Sequence, residues 1–127
     1  MMKKSASELV GEAKQQIENL TPDQVAKELE AGALLVDVRE SEERKQLSIP
    51  GSVFAPRGML EFYADPSLPY HKEEFTPDRR IILHCASGGR SALSAATLKQ
   101  MGYENVAHLD GGIKAWQEAG QPTQPGD

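Results

Sequence analysis

The 127-residue chain carries 14 Lys and Arg against 19 Asp and Glu, a formal charge of −5, and its length suits one compact domain of roughly 100–150 residues. Mild acidity, with no basic cluster beyond Lys3-Lys4 and Arg79-Arg80, argues against a phosphate-tracking surface for nucleic acid. The longest apolar run, Ala33-Leu34-Leu35-Val36, is far short of the roughly 20 residues a membrane span needs, so the chain reads as soluble and cytoplasmic, without membrane contact.

From the N-terminus, Leu9, Val10, Ala13 and Ile17 recur at helical spacing, which predicts an amphipathic helix over residues 7–19 lying on the outside of the domain. Thr21-Pro22-Asp23-Gln24 supplies an N-cap, a proline at the first helical position and a Gln three residues past the cap, opening a second helix that Gly32 closes. Residues 33–38 form a short apolar run suited to a strand buried on both faces, interrupted by Asp37. A short helix opens at Ser41-Glu42-Glu43-Arg44, Ile49-Pro50-Gly51 is a turn, and residues 53–55 resume as strand. Residues 59–64 suit a helical turn, and residues 65–78, with three prolines, an irregular connection. A strand over 80–84, a helix over 91–101 closed by Gly102, a strand over 105–109 and a helix over 113–119 closed by Gly120 complete the series, and residues 121–127 read as a loose tail. Helices alternating with short buried strands indicate an α/β sheet layered by helices.

Cys85 is the only cysteine, so no disulfide, dithiol cycle or cysteine-rich zinc site can form within the chain. His71, His84 and His108 lack the close pairing that seats zinc; neither metal nor cofactor is expected. Cys85 stands at the carboxyl end of a predicted strand, followed by Ala86-Ser87-Gly88-Gly89 and then Arg90 at the mouth of a helix. That is where open α/β sheets bind ligands. Small residues let consecutive amides turn inward as an anion nest, and the helix adds its positive end. A cysteine with its ordinary pKa of about 8.5 is only a few per cent ionised at neutral pH. A helix terminus contributes about 0.3–1 kcal/mol, so inward amides and the Arg90 guanidinium must supply the rest of any thiolate stabilisation. The alternative at this point is an ordinary strand-to-helix turn with Cys85 as a small core residue.

Asp37-Val38-Arg39, Ile49-Pro50-Gly51, Cys85-Ala86-Ser87-Gly88-Gly89-Arg90-Ser91 and Leu109-Asp110-Gly111-Gly112-Ile113-Lys114-Ala115-Trp116 appear in the order and approximate spacing of single-domain rhodanese-like sulfurtransferases. The resemblance spans residues 20–122, which leaves residues 1–19 as an N-terminal helical extension and 123–127 as a flexible tail. It departs from the family at Leu47-Ser48-Ile49-Pro50-Gly51-Ser52, where Gly-His-Ile-Pro-Gly-Ala is more usual. What it implies is a rhodanese-like α/β fold, a five-stranded parallel sheet flanked by helices on both faces. It implies Cys85 as a sulfur carrier cycling between thiolate and persulfide, Ala86, Ser87, Gly88 and Gly89 as the amide cradle, and Arg90 as an anion-binding residue. The partners it implies are a small anionic sulfur donor such as thiosulfate and an acceptor such as cyanide or a thiol.

Two rival readings differ in class. A cysteine-dependent phosphatase or arsenate reductase uses a similar nest, but spaces its cysteine and arginine by five residues, whereas four separate Cys85 from Arg90. The other rival is a sulfur-relay or interaction module serving a protein partner. Among the supporting residues, Asp37 in a buried run needs partners and is expected to hold loop backbone, while Arg39 is expected to pair with Glu42 or Glu43. His84 alternates to the face opposite Cys85. His108 reads as structural, His71 as solvated, Trp116 as core, and Arg57 as a residue bordering the pocket.

Overall fold

A computed structural model describes residues 3–127. The elements, in chain order, are α1 (Ala6–Gln16), β1 (Glu18–Leu20), α2 (Pro22–Glu30), β2 (Leu34–Asp37), α3 (Ser41–Gln46), β3 (Val53–Phe54), a 3-10 turn (Arg57–Met59) leading into α4 (Leu60–Tyr63), β4 (Ile81–His84), α5 (Gly89–Gln100), β5 (Val106–Leu109) and α6 (Gly112–Glu118). Five parallel strands form one sheet in the order β1-β5-β4-β2-β3. The central strand β4 thus delivers Cys85 at its carboxyl end, between β5 and β2.

Local chemistry explains the helix starts. Ser5 and Glu8 close a capping box on α1, and Thr21 and Gln24 close another on α2. β2, β4 and β5 are buried along their whole length, as strands covered on both faces must be. Side-chain alternation sorts the core into two layers. Leu34, Val36, Ile81, Leu83 and Val106 pack with Leu60, Ala95 and Leu98 of α4 and α5 on one face, and Leu35, Ile82, Ala107 and Leu109 pack with Val25, Ile113 and Trp116 of α2 and α6 on the other. On the outside of the first layer, Ala13 and Val10 of α1, with Ile17 just after it, seat against Ala92 and Ala96 of α5.

Two expectations are corrected. The first helix stops at Gln16, and residues 18–20 turn into β1, pairing with Ala107, His108 and Leu109. This is the fifth strand; its first two residues fell inside the predicted helix, and its only apolar residue, Leu20, gives no alternation to read. The segment 121–127 is not loose: Gln124 bridges Ser48, the Trp116 indole donates to the Pro122 carbonyl, and Arg44 Nε donates to Asp127. A buried indole N–H needs an acceptor, and the tail supplies it. Of the predicted N-terminal extension, Met1 and Met2 lie outside the described residues.

Candidate active site

β4 ends at His84, and the chain then curls through residues 85–88 before α5 begins. The curl depends on Gly88, whose φ of +110° is in the left-handed region that residues with a Cβ rarely adopt. The turn aims two amides at one atom: those of Gly88 and Ser91 lie 3.1 and 3.4 Å from Cys85 Sγ, and the thiol in turn donates to the Ser91 hydroxyl oxygen 3.5 Å away. Cys85 is 1% exposed, so its side chain sits under its own loop on the α5 face of the sheet. Burial pushes the thiol pKa up, but the Ser91 hydroxyl and the amides of Ser91, Gly88 and Ser87 outweigh it, and the net position is below the usual thiol value.

The loop is clamped from behind by α6. The Ile113 amide donates to the Cys85 carbonyl at 2.9 Å and the Lys114 amide to the Ala86 carbonyl at 3.2 Å. This close approach requires glycine at 112, where φ is +63° and an added Cβ would lie 2.5 Å from the Ala86 carbonyl oxygen and 2.6 Å from that of Cys85. Gly112→Ala is expected to lower stability by at least about 2 kcal/mol, the scale of a strained backbone position plus a clash. It should also displace residues 85–86, read out as a slower thiol alkylation together with a lower melting temperature.

Arg90 stands in the first turn of α5, where its guanidinium reaches α3 and grips Glu43 through two bonds of 2.8 and 2.9 Å. The Arg90 hydrogen bonds outweigh burial and hold the Glu43 carboxyl at about 2. Glu43 is therefore the partner of Arg90, not of Arg39. Arg39 instead folds back on Asp37, with Nε to Oδ1 at 3.0 Å and Nη2 to Oδ2 at 2.9 Å, while its own amide also donates to Oδ1. The correction follows from burial, since an ionised Asp37 that is fully buried takes the nearest cation. Arg44, in the short helix α3, is the second: it is 6% exposed and its Nη1 lies 3.3 Å from Asp37 Oδ2 and 3.0 Å from the Ser52 hydroxyl. Burial pushes the Asp37 carboxyl up, and the Arg39 bonds with the nearby charges bring it below the usual range.

The histidines are placed differently from one another. His84 points to the face opposite Cys85, where Nδ1 lies 3.2 Å from the Cys85 carbonyl, Nε2 is 3.8 Å from Asp37, and burial lowers its pKa to about 4. His71 is half-buried, not solvated, with Nε2 2.9 Å from the Phe75 carbonyl. Arg57 does not border the loop; it pairs with Glu61 and reaches Thr97, about two turns down α5. His108 sits beside the site: its Nδ1 is 2.9 Å from Ser91 Oγ and its Nε2 2.8 Å from Asn19 Oδ1. Ser91, Asn19 and His108 were not legible as site residues, because β1 and β5 bring Asn19 beside His108 only through the sheet.

No helix among the described residues is long and apolar enough to cross a membrane. Residues 21–119 match the family model of the rhodanese-like domain. A sulfurtransferase from Allochromatium vinosum is 37% identical over 89 residues, covering 70% of this chain and 76% of that protein. A chloroplastic thiosulfate sulfurtransferase of Arabidopsis thaliana is 34% identical over 98 residues, covering 74% and 82%. Several other relatives are longer, and the chain spans 25% to 46% of them. Among solved structures, a Rhodopseudomonas palustris protein of unknown function, described as a possible tyrosine phosphatase, superposes with a TM-score of 0.89 at 39% identity, covering 98% of this chain and 97% of that one.

Proposed function

Because the chain belongs to the rhodanese-like domain family, we propose that it is a sulfurtransferase carrying a sulfane sulfur on Cys85, taken from thiosulfate or a similar anionic donor and passed to cyanide or a thiol. The observation that carries this reading is the convergence on Cys85 Sγ of the Gly88 and Ser91 amides, which donate to it, and of the Ser91 hydroxyl beside them. Those groups favour the thiolate, which is the nucleophile. The thiolate attacks the outer sulfur of thiosulfate, the sulfur–sulfur bond of the donor breaks, and sulfite leaves with the bonding pair. The acceptor then attacks the outer sulfur of the resulting persulfide and restores the thiolate. A single thiol suffices for both halves.

Arg90 serves the donor's negative charge from the mouth of α5, and Glu43 holds its guanidinium there. Arg90→Ala removes the cation and leaves the Glu43 carboxylate unbalanced beside an anion site. The expected result is a KM for thiosulfate raised about tenfold, equivalent to ~1.4 kcal/mol, with kcat little changed. Equal turnover at low donor concentration would refute that role.

Phosphatase chemistry is the second reading, favoured by the description of the R. palustris structure. Four residues between Cys85 and Arg90 make a tighter loop than the five of cysteine-dependent phosphatases, which favours a nest for a single extra sulfur over one that wraps three phosphate oxygens. The deciding experiment is intact mass after thiosulfate treatment, run beside aryl phosphate hydrolysis. A gain of one sulfur atom, lost on adding cyanide or a thiol, supports the sulfurtransferase. Phosphate release with no sulfur gain supports the rival. Sulfur gained but surrendered only to a protein thiol would identify a relay module.

A further inference from the structure

The hydrogen bonds around Cys85 do not end at Ser91. Asn19 fixes the direction of the bonds beyond it: its Nδ2 donates to the carbonyls of Lys14 and Ile17 at 2.9 and 3.2 Å, which leaves Oδ1, an acceptor only, facing His108 Nε2 at 2.8 Å. Nε2 must therefore carry a hydrogen. In the neutral ring Nδ1 is then a lone pair, and the Ser91 hydroxyl donates to it at 2.9 Å in preference to the Gly88 carbonyl at 3.3 Å. With its own proton so directed, Ser91 Oγ presents a lone pair to Cys85, and the thiol donates to it at 3.5 Å. The chain is equally well satisfied in one other arrangement, with a thiolate accepting from Ser91, Ser91 accepting from Nδ1–H, and Nε2–H still on Asn19.

Resting on the reading of Cys85 as the nucleophile, we propose that His108 is the acceptor of the Cys85 thiol proton, reached through the Ser91 hydroxyl. The S–H bond breaks as Ser91 Oγ takes that proton, Ser91's own proton passes to His108 Nδ1, and the electron pair stays on sulfur. Thiol and imidazole become thiolate and imidazolium without change in net charge. Ser91 touches the reacting sulfur; His108 acts through it and is a positioning residue, oriented by Asn19. The charged groups facing His108 are Asp110 of the loop after β5, with Oδ1 4.0 Å from Nε2, and Lys14 of α1, whose Nζ pairs with the same oxygen at 3.2 Å. From β1 comes only Asn19 and from α5 only Ser91, both uncharged. Burial and Lys14 hold His108 neutral in the thiol state, with a pKa of about 4, and Asp110 opposes them. The proton is accepted only as the neighbouring sulfur becomes an anion, which ties the two ionisations together.

The test needs the intact protein and two readouts. Nitrogen NMR of the wild-type histidines should show His108 as the Nε2–H tautomer in the thiol form, with an Nδ1-protonated population that equals the thiolate population below the pH at which the pair loses its proton, and that is absent in Cys85→Ala. Thiol pKa from the pH dependence of iodoacetamide alkylation should rise by about one unit in Ser91→Ala and in His108→Gln, a tenfold loss of rate below that limb. The double variant should show no more than either single one. A structural role alone would lower melting temperature and leave the alkylation profile in place. An Nδ1–H tautomer in the wild type, a superposable pH profile for His108→Gln, or additive shifts would each overturn the relay. Sulfur loading of the wild type is read separately: if it fails while the two ionisations remain coupled, the transfer reaction is wrong and the relay stands.

Discussion

Cys85→Ser is expected to abolish sulfur uptake completely while leaving the fold in place. The serine hydroxyl is smaller than the thiol but occupies the same place, so the Gly88 and Ser91 amides, 3.1 and 3.4 Å from Sγ in the wild type, retain an acceptor. The stability change should stay within about 1 kcal/mol, the scale of one exchanged hydrogen bond. Chemistry is lost because a serine hydroxyl stays protonated where a thiol held below its ordinary pKa ionises, and oxygen does not carry the outer sulfur as a persulfide does. No second cysteine exists to take over. The measurement is intact mass after thiosulfate treatment, beside a thermal unfolding curve. A Cys85→Ser protein that unfolds like the wild type yet still gains a sulfur atom would remove this residue from the reaction.

Asp37→Asn is expected to cost the most stability of any single conservative change. The carboxylate is fully buried and accepts from Arg39 and Arg44, which are 4% and 6% exposed. An amide keeps the volume but leaves the buried Arg39 guanidinium without a countercharge and Arg44 with only the exposed Asp127 carboxylate, a loss of about 3–5 kcal/mol for breaking such a pair. Against a total of about 5–15 kcal/mol, that takes away a large share of the folded population, and a melting temperature lower by roughly 10–20 °C should follow. The pH dependence has a definite sign. The folded carboxyl lies below its usual value, so its contribution is present above the unfolded pKa and lost as pH falls through the folded one. Wild-type stability should fall on acidification through that window, and the Asn variant should show a flatter curve there. A wild-type melting temperature in Asp37→Asn would show that the arginines find other partners.

What could be read from the sequence follows the range over which each signal acts. β2, β4 and β5 announce themselves as apolar runs between breakers, and α2 through its cap, proline and closing glycine. The tight turn after β4 was visible because Gly88, Gly89 and Arg90 follow a strand end within a few residues. The hidden features are long-range. β1 is short and mostly polar, and becomes a strand only by pairing with β5. Arg44 reaches Asp37 across seven positions and Arg90 reaches Glu43 across 47, choices made by burial and helix placement. His108 read as structural because its partners, Asn19 and Ser91, lie 89 and 17 positions away.

The depth at which the sulfur of Cys85 lies has a consequence for molecular traffic. Two sulfur atoms bond at about 2.05 Å, and a residue 1% exposed beneath its own backbone keeps the equivalent atom of another copy from coming that near. The thiol is thereby sheltered from pairing with its own kind, and in the proposed transfer what reaches it must be slender, a small ion entering end-on or a cysteine carried on a narrow extension. In the proposed transfer the curl over Cys85 also acts as a sieve.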